Sequence, residues 1–119
     1  MIVTTAQMSK HRFLTENNVP WIDTTVKSGD KRLAPDWSFL MEYKNNRDWG
    51  VYKEKFYAKM RTSFLENKSF WEELINKDEI TLLCYCKAGQ NCHRLLLVDI
   101  LKKLCNHYGI EFNYIGEIK

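Results

Sequence analysis

Proline and glycine are scarce in this chain, two and five among 119 residues. So few breakers leave no Pro-rich or Gly/Ser-rich linker, and no repeat or low-complexity tract interrupts the sequence. Long hydrophobic runs are missing too. None approaches the roughly 20 residues that span a bilayer, so no membrane partner is expected. Met1 to Lys10 lacks the charged-then-apolar layout of a signal peptide, which makes a cytoplasmic location the expectation. An excess of charge of one sign is also absent. The net charge is +3, and Lys and Arg are spread along the chain. Dedicated nucleic-acid binders carry a stronger or more clustered excess, so nucleic acid is a secondary candidate partner. In a reducing compartment the four cysteines are not expected as disulfides. Packing, thiol chemistry or metal binding is then left for them.

What is present argues for a packed core. Apolar residues make up 45% and aromatics 13%, too many for a disordered chain. The length suits one domain, residues 1–119. Ile2 to Thr5 reads as a first strand and Met8 to Glu16 as a short helix broken by Asn17-Asn18. Val19 to Val26 reads as a second strand, followed by a loop around Gly29 with basic flanks. Asp36 starts a helix carrying Trp37, Leu40, Met41 and Lys44. Asp48 caps a longer helix, in which Tyr52, Phe56, Met60 and Phe64 recur every four residues. Ser69, with Glu72 after it, suggests a capping box for a third short helix.

The last third reads as a β-α-β unit. Its strand is Glu79 to Cys86, its helix residues 95 to 108 with Gly109 as C-cap, and its final strand Glu111 to Ile115. The fold class expected is α/β, a small three-layer domain with a mostly parallel sheet. Ligands of such sheets sit at the carboxyl ends of the strands. Here those ends fall at Thr5-Ala6, Asp23 to Thr25, Cys86 to Gly89 and Gly116-Glu117.

Chemistry concentrates at one of these ends, Cys84-Tyr-Cys-Lys-Ala-Gly-Gln-Asn-Cys-His-Arg94. Cys84 reads as a buried strand residue and Cys105 as helix core. Cys86 lies at the strand end, where a following helix N-terminus and nearby Lys87 and Arg94 favour the thiolate. Cys92 and His93 form a Cys/His pair on the other lip, and spacing does not choose between Cys86 and Cys92 as the working thiol. Arg94 is a candidate anion clamp or an ion-pair partner of Asp23 or Glu117. Asp23, Lys27, Gly89 and Glu117 complete the candidate ligand-binding set. Cys86-Lys-Ala-Gly89 resembles the sulfurtransferase loop, but Gln90-Asn91 replaces its basic residue. The arginine of a phosphatase loop would fall on Cys92.

A metal reading takes Cys84, Cys86, Cys92 and His93 as zinc ligands. Their spacing departs from paired zinc knuckles, and the adjacent Cys92 and His93 would have to bend back on one ion. No cofactor is therefore expected, with zinc the alternative. The leading functional expectation is binding or processing of a phosphate-bearing small molecule or nucleotide by the Cys/His/Arg loop. The alternative is a non-enzymatic module that binds a host protein or nucleic acid.

Several segments together carry a resemblance. They are Asp23-Thr-Thr-Val-Lys-Ser-Gly29, Leu33-Ala-Pro-Asp-Trp37, Tyr43-Lys44, Trp49 to Tyr57 and Cys84-x-Cys-x-Ala-Gly-x-x-Cys-His-Arg94. From Asp23 to Glu117 the chain resembles the bacterial and phage family called domain of unknown function 488, in its short, phage-associated form. Asp36 departs from the serine that relatives often carry between Pro and Trp. The resemblance implies a small α/β fold and singles out Cys92, His93 and Arg94 as a unit. It implies no activity.

Overall fold

The computed structural model describes residues 1–86 and 90–119. Gly89 and Lys87, both named above, lie outside the described residues. Strand β1 is Ile2–Gln7, followed by a 3-10 turn at Met8–Lys10 and helix α1 at His11–Glu16. Then come β2 (Trp21–Asp23), α2 (Trp37–Asn46), α3 (Trp49–Glu66) and α4 (Lys68–Ile75). The chain closes with β3 (Glu79–Cys84), α5 (His93–Tyr108) and β4 (Asn113–Ile118). The sheet order is β2-β3-β1-β4, and every pairing is parallel.

Side chains alternate across the sheet, so each strand feeds two layers. Val3, Ile80 and Leu82 enter a large core with Phe56, Trp71, Leu97 and Leu101 from the helices. Ala6 and Leu83 face the other way, onto Leu14 of α1. The result is the three-layer α/β fold. The four-residue recurrence on α3 holds for Tyr52, Phe56 and Met60, which are buried, and each contributes roughly 1.5–3 kcal/mol by leaving water. Trp71 is fully buried, and its indole N–H donates to Ser63 Oγ at 3.1 Å, so the largest core side chain has its polar atom satisfied.

Helix α5 starts at His93 rather than 95 and β1 runs on to Gln7, and four other expected boundaries move, each for a local reason. Strand β2 is shorter than Val19 to Val26. Beyond Asp23 the chain turns sharply, with the Asp30 N–H donating to the Asp23 carbonyl at 2.8 Å. Asn67, not Ser69, precedes α4, so Ser69 lies inside the helix and no capping side chain is used. Strand β3 ends at Cys84, opposite Gln7 where its partner β1 ends, and beyond it the Cys86 carbonyl accepts from Arg94. Strand β4 begins at Asn113 and contains Gly116 and Glu117 rather than stopping short of them. A register shift at Val3/Thr4 pairs Val3 with Tyr114 and Thr4 with Gly116, and Gly116 takes φ 128°, open to glycine at little cost.

Candidate functional site

The parallel sheet brings β3, β1 and β4 side by side, with α5 crossing one face. Cys84 lies on the same face as Ile80 and Leu82, and Thr5 on the same face as Val3. Both therefore look toward α5. Arg94, in the first turn of α5, is 1% exposed and reaches between them. Its Nε and Nη2 fork onto Glu117 at 3.2 and 3.0 Å, while Nη1 donates to Cys84 Sγ at 2.6 Å and to the Cys86 carbonyl at 3.0 Å. Glu117 Oε1 also accepts from Thr5 Oγ1 at 2.6 Å. A charge so deeply buried persists only with its partner and hydrogen bonds in place. Arg94 is thus an anchor between β3 and β4. Its partner is Glu117, one of the two expected, and the guanidinium is directed at protein groups.

The thiols meet next to this pair. Cys84 Sγ and Cys92 Sγ lie 2.6 Å apart, and Cys92 Sγ lies 3.7 Å from His93 Nδ1. Cys84, expected as packing, is buried and also meets both Arg94 and Cys92, and Arg94 Nη1 itself donates to Cys92 Sγ at 3.6 Å. His93 Nε2 donates to the Thr24 carbonyl at 2.7 Å and lies 2.9 Å from Thr24 Oγ1, whose own proton goes to the Leu83 carbonyl. Because a carbonyl can only accept, this network assigns the ring proton to Nε2 and leaves the Nδ1 lone pair toward Cys92. Burial pushes the His93 pKa down to about 4, against the Thr24 carbonyl, which raises it. The ring is neutral at neutral pH.

The three thiols differ. Hydrogen bonds from Cys84 and Cys92, with His93 and Arg94 adding to them, hold the Cys86 thiol well below the usual range despite some burial. Cys84 is pushed up to about 11 by its hydrogen bond to Cys86, opposed by Cys92. Cys92 is raised by its bonds to both other thiols and by burial. Cys86 is the half-exposed member, while Cys84 and Cys92 are buried.

Cys86 opens on two adjoining cavities of about 420 and 250 Å³, which share Leu40, Lys44, Tyr85, Cys86 and His93. The larger adds Arg47 and the rings of Tyr43, Trp49 and Tyr52. The smaller adds Lys27, Trp37 and Cys84. Trp37, 52% exposed, is cleft wall rather than core. Among the described residues no carboxylate lines either cavity, and no ion pair engages Lys27, Lys44 or Arg47. A further cavity of about 440 Å³ between α3, α4 and α5 is mostly apolar, with no thiol or imidazole in its lining.

The expected site residues therefore divide. Cys86, Cys92, His93 and Arg94 come together, with Glu117 behind Arg94. Lys27 lines the smaller cavity. Asp23 holds a turn, its carboxylate accepting from Thr25 N at 2.8 Å and Ser28 Oγ at 2.6 Å. Thr24, Arg47 and Tyr85 were not expected. Thr24 sits inside the Asp23-Thr-Thr segment that carried the family resemblance. Arg47 follows the last residue of α2, Asn46, and caps the helix with a left-handed φ of 58°.

A family model described as "Active DUF488-N3 subclade" matches residues 7–104. The chain belongs to the DUF488 family. The match spans β1 to α5 and takes in Cys84, Cys86, Cys92, His93 and Arg94. No curated protein and no solved structure matches the chain. DUF488 membership carries no agreed activity, so function has to be argued from the cleft. No helix among the described residues is long and apolar enough to cross a membrane.

Proposed function

We propose that the cleft beside Cys86 binds a phosphate-bearing small molecule, a nucleotide being the best-fitting class. The observation that carries this reading is the cleft's charge. Three cations, Lys27, Lys44 and Arg47, line it with no carboxylate among the described lining residues. Such a set attracts an anion. Trp37, Tyr43, Trp49 and Tyr85 supply ring faces beside the cations, which suits an aromatic base next to a phosphate. The anion contacts fall to these exposed cations rather than to Arg94, whose donors are directed at Glu117, Cys84, Cys86 and Cys92. Cys86 would present its sulfur to the bound molecule.

The test is a thermal-shift panel of inorganic phosphate, pyrophosphate and nucleoside mono- and diphosphates. A ligand at 100 times its Kd stabilises the native state by about 2.7 kcal/mol, readily seen as a raised Tm. Lys44→Ala and Arg47→Ala are each expected to weaken binding about tenfold or more, as loss of a charge-assisted contact does. The bound ligand should also slow alkylation of Cys86 and leave Cys105 unaffected. A panel that shifts nothing would defeat the proposal and favour the interaction-module alternative.

A further inference from the structure

We propose that Cys84, Cys92 and His93 form a binding site for a zinc-class divalent cation at the floor of this cleft. Two sulfurs and one ring nitrogen, all from buried residues, lie within 4.8 Å of one another. Thiolate and imidazole together select zinc and its neighbours over magnesium or calcium, which prefer oxygen.

The second observation is the imidazole. A metal-bound histidine usually donates its other ring N–H to a carbonyl or carboxylate, which fixes the tautomer and aims the lone pair. His93 has that arrangement, with Nε2 pinned to the Thr24 carbonyl at 2.7 Å and Nδ1 turned toward Cys92 Sγ. The unprotonated nitrogen is thereby turned to the side on which Cys92 and, beyond it, Cys84 lie.

The sequence objection was that adjacent Cys92 and His93 would have to bend back on one ion. The backbone removes it. Cys92 is the extended N-cap of α5, with φ −153° and ψ 147°, and His93 is the first helical residue. The change from extended to helical backbone between them lets consecutive side chains converge. The charges also balance, since two thiolates neutralise a dication and Arg94 is already neutralised by Glu117. Arg94 Nη1, donating to Cys84 Sγ, stands as an outer partner of a ligand sulfur.

On tetrahedral zinc, two sulfurs at about 2.3 Å from the ion stand about 3.8 Å apart. They are 2.6 Å apart here, so the ion would enter by spreading the pair. Cys86 stands outside this group of three. If Cys86 stays free, the fourth position is left to the cleft's ligand, as in catalytic zinc sites.

The experiment loads the full-length protein with zinc or cobalt(II), dialyses it and measures bound metal. About one equivalent per chain is expected, with a sulfur-to-cobalt charge-transfer band for the cobalt form. Cys84→Ser, Cys92→Ser and His93→Ala should each lower affinity about tenfold or more, while Cys105→Ser keeps wild-type binding. Should those variants fail to fold, the wild-type protein decides the matter, because the sulfur-to-cobalt band arises only when thiolates ligate the ion. Less than about a tenth of an equivalent in the wild type would overturn the inference. So would a cobalt spectrum without the sulfur band, or full retention of metal by a folded Cys84→Ser/Cys92→Ser double variant. The phosphate panel is run on loaded and metal-free protein. A panel response with no metal bound removes this inference alone, and metal bound with no panel response removes the ligand reading alone.

Discussion

At the scale of single residues, two glycines make opposite demands. A Cβ on Gly29 would run into the backbone of Thr25 and the carbonyl of Asp23, the groups that form the turn after β2. Gly29→Ala is therefore expected to cost about 2 kcal/mol or more, because backbone rather than a flexible side chain must give way. Gly50 lies in the first turn of α3, where an added Cβ meets only the Asp48 carboxylate, at 3.5 Å. Gly50→Ala should stabilise by up to about 1 kcal/mol. Urea denaturation of both variants checks the pair, and equal effects would contradict the packing described. Much at this scale was legible beforehand. The Asp48 cap, the α3 stripe and the Gly109 terminus all follow from local chemistry. Asp23 was not, because a carboxylate at a strand end looks the same in sequence whether it holds a turn or meets a ligand.

Among the elements, β4 shows where sequence reading loses its grip. Glu111 to Ile115 is the more apolar stretch, yet the ladder uses Asn113–Ile118. The edge strand's register is set by Glu117 reaching Arg94 and by the bulge opposite Val3/Thr4. Neither is a local property of the strand. If the Arg94–Glu117 pair fixes this register, Glu117→Gln should be costly despite its shape. Leaving a buried guanidinium without its counter-charge is expected to lower stability by about 3 to 5 kcal/mol, measured by chemical denaturation. A loss below 1 kcal/mol would mean that the pair is dispensable. The same element explains why Cys84 was underrated. From sequence it is an apolar-flanked strand residue, and only the crossing of α5 over β3 places Arg94 and Cys92 against it.

For the whole molecule, the layer architecture was readable because strands and helices alternate along the chain and differ in period. The site was readable as a place, the carboxyl end of β3, but not as a constellation. Thr24, Lys44 and Arg47 come from segments far from the Cys84-to-Arg94 stretch and meet it only once the sheet has formed. Seen at this scale, the strand order has kinetic weight. Strand β1 is central, and both its neighbours are distant in sequence, with Ile2 paired to Glu79 on one side and Asn113 on the other. Non-local pairing must meet its loop-closure entropy before contact energy returns it. Stopped-flow refolding should therefore proceed in milliseconds to seconds, not on the microsecond scale of helical bundles. During synthesis the first strand must wait, unpaired, until β3 has emerged, some seconds later at about 5–20 residues per second. For that interval Ile2–Gln7 is an open β-template, free to pair with any strand edge it meets before its own neighbours exist.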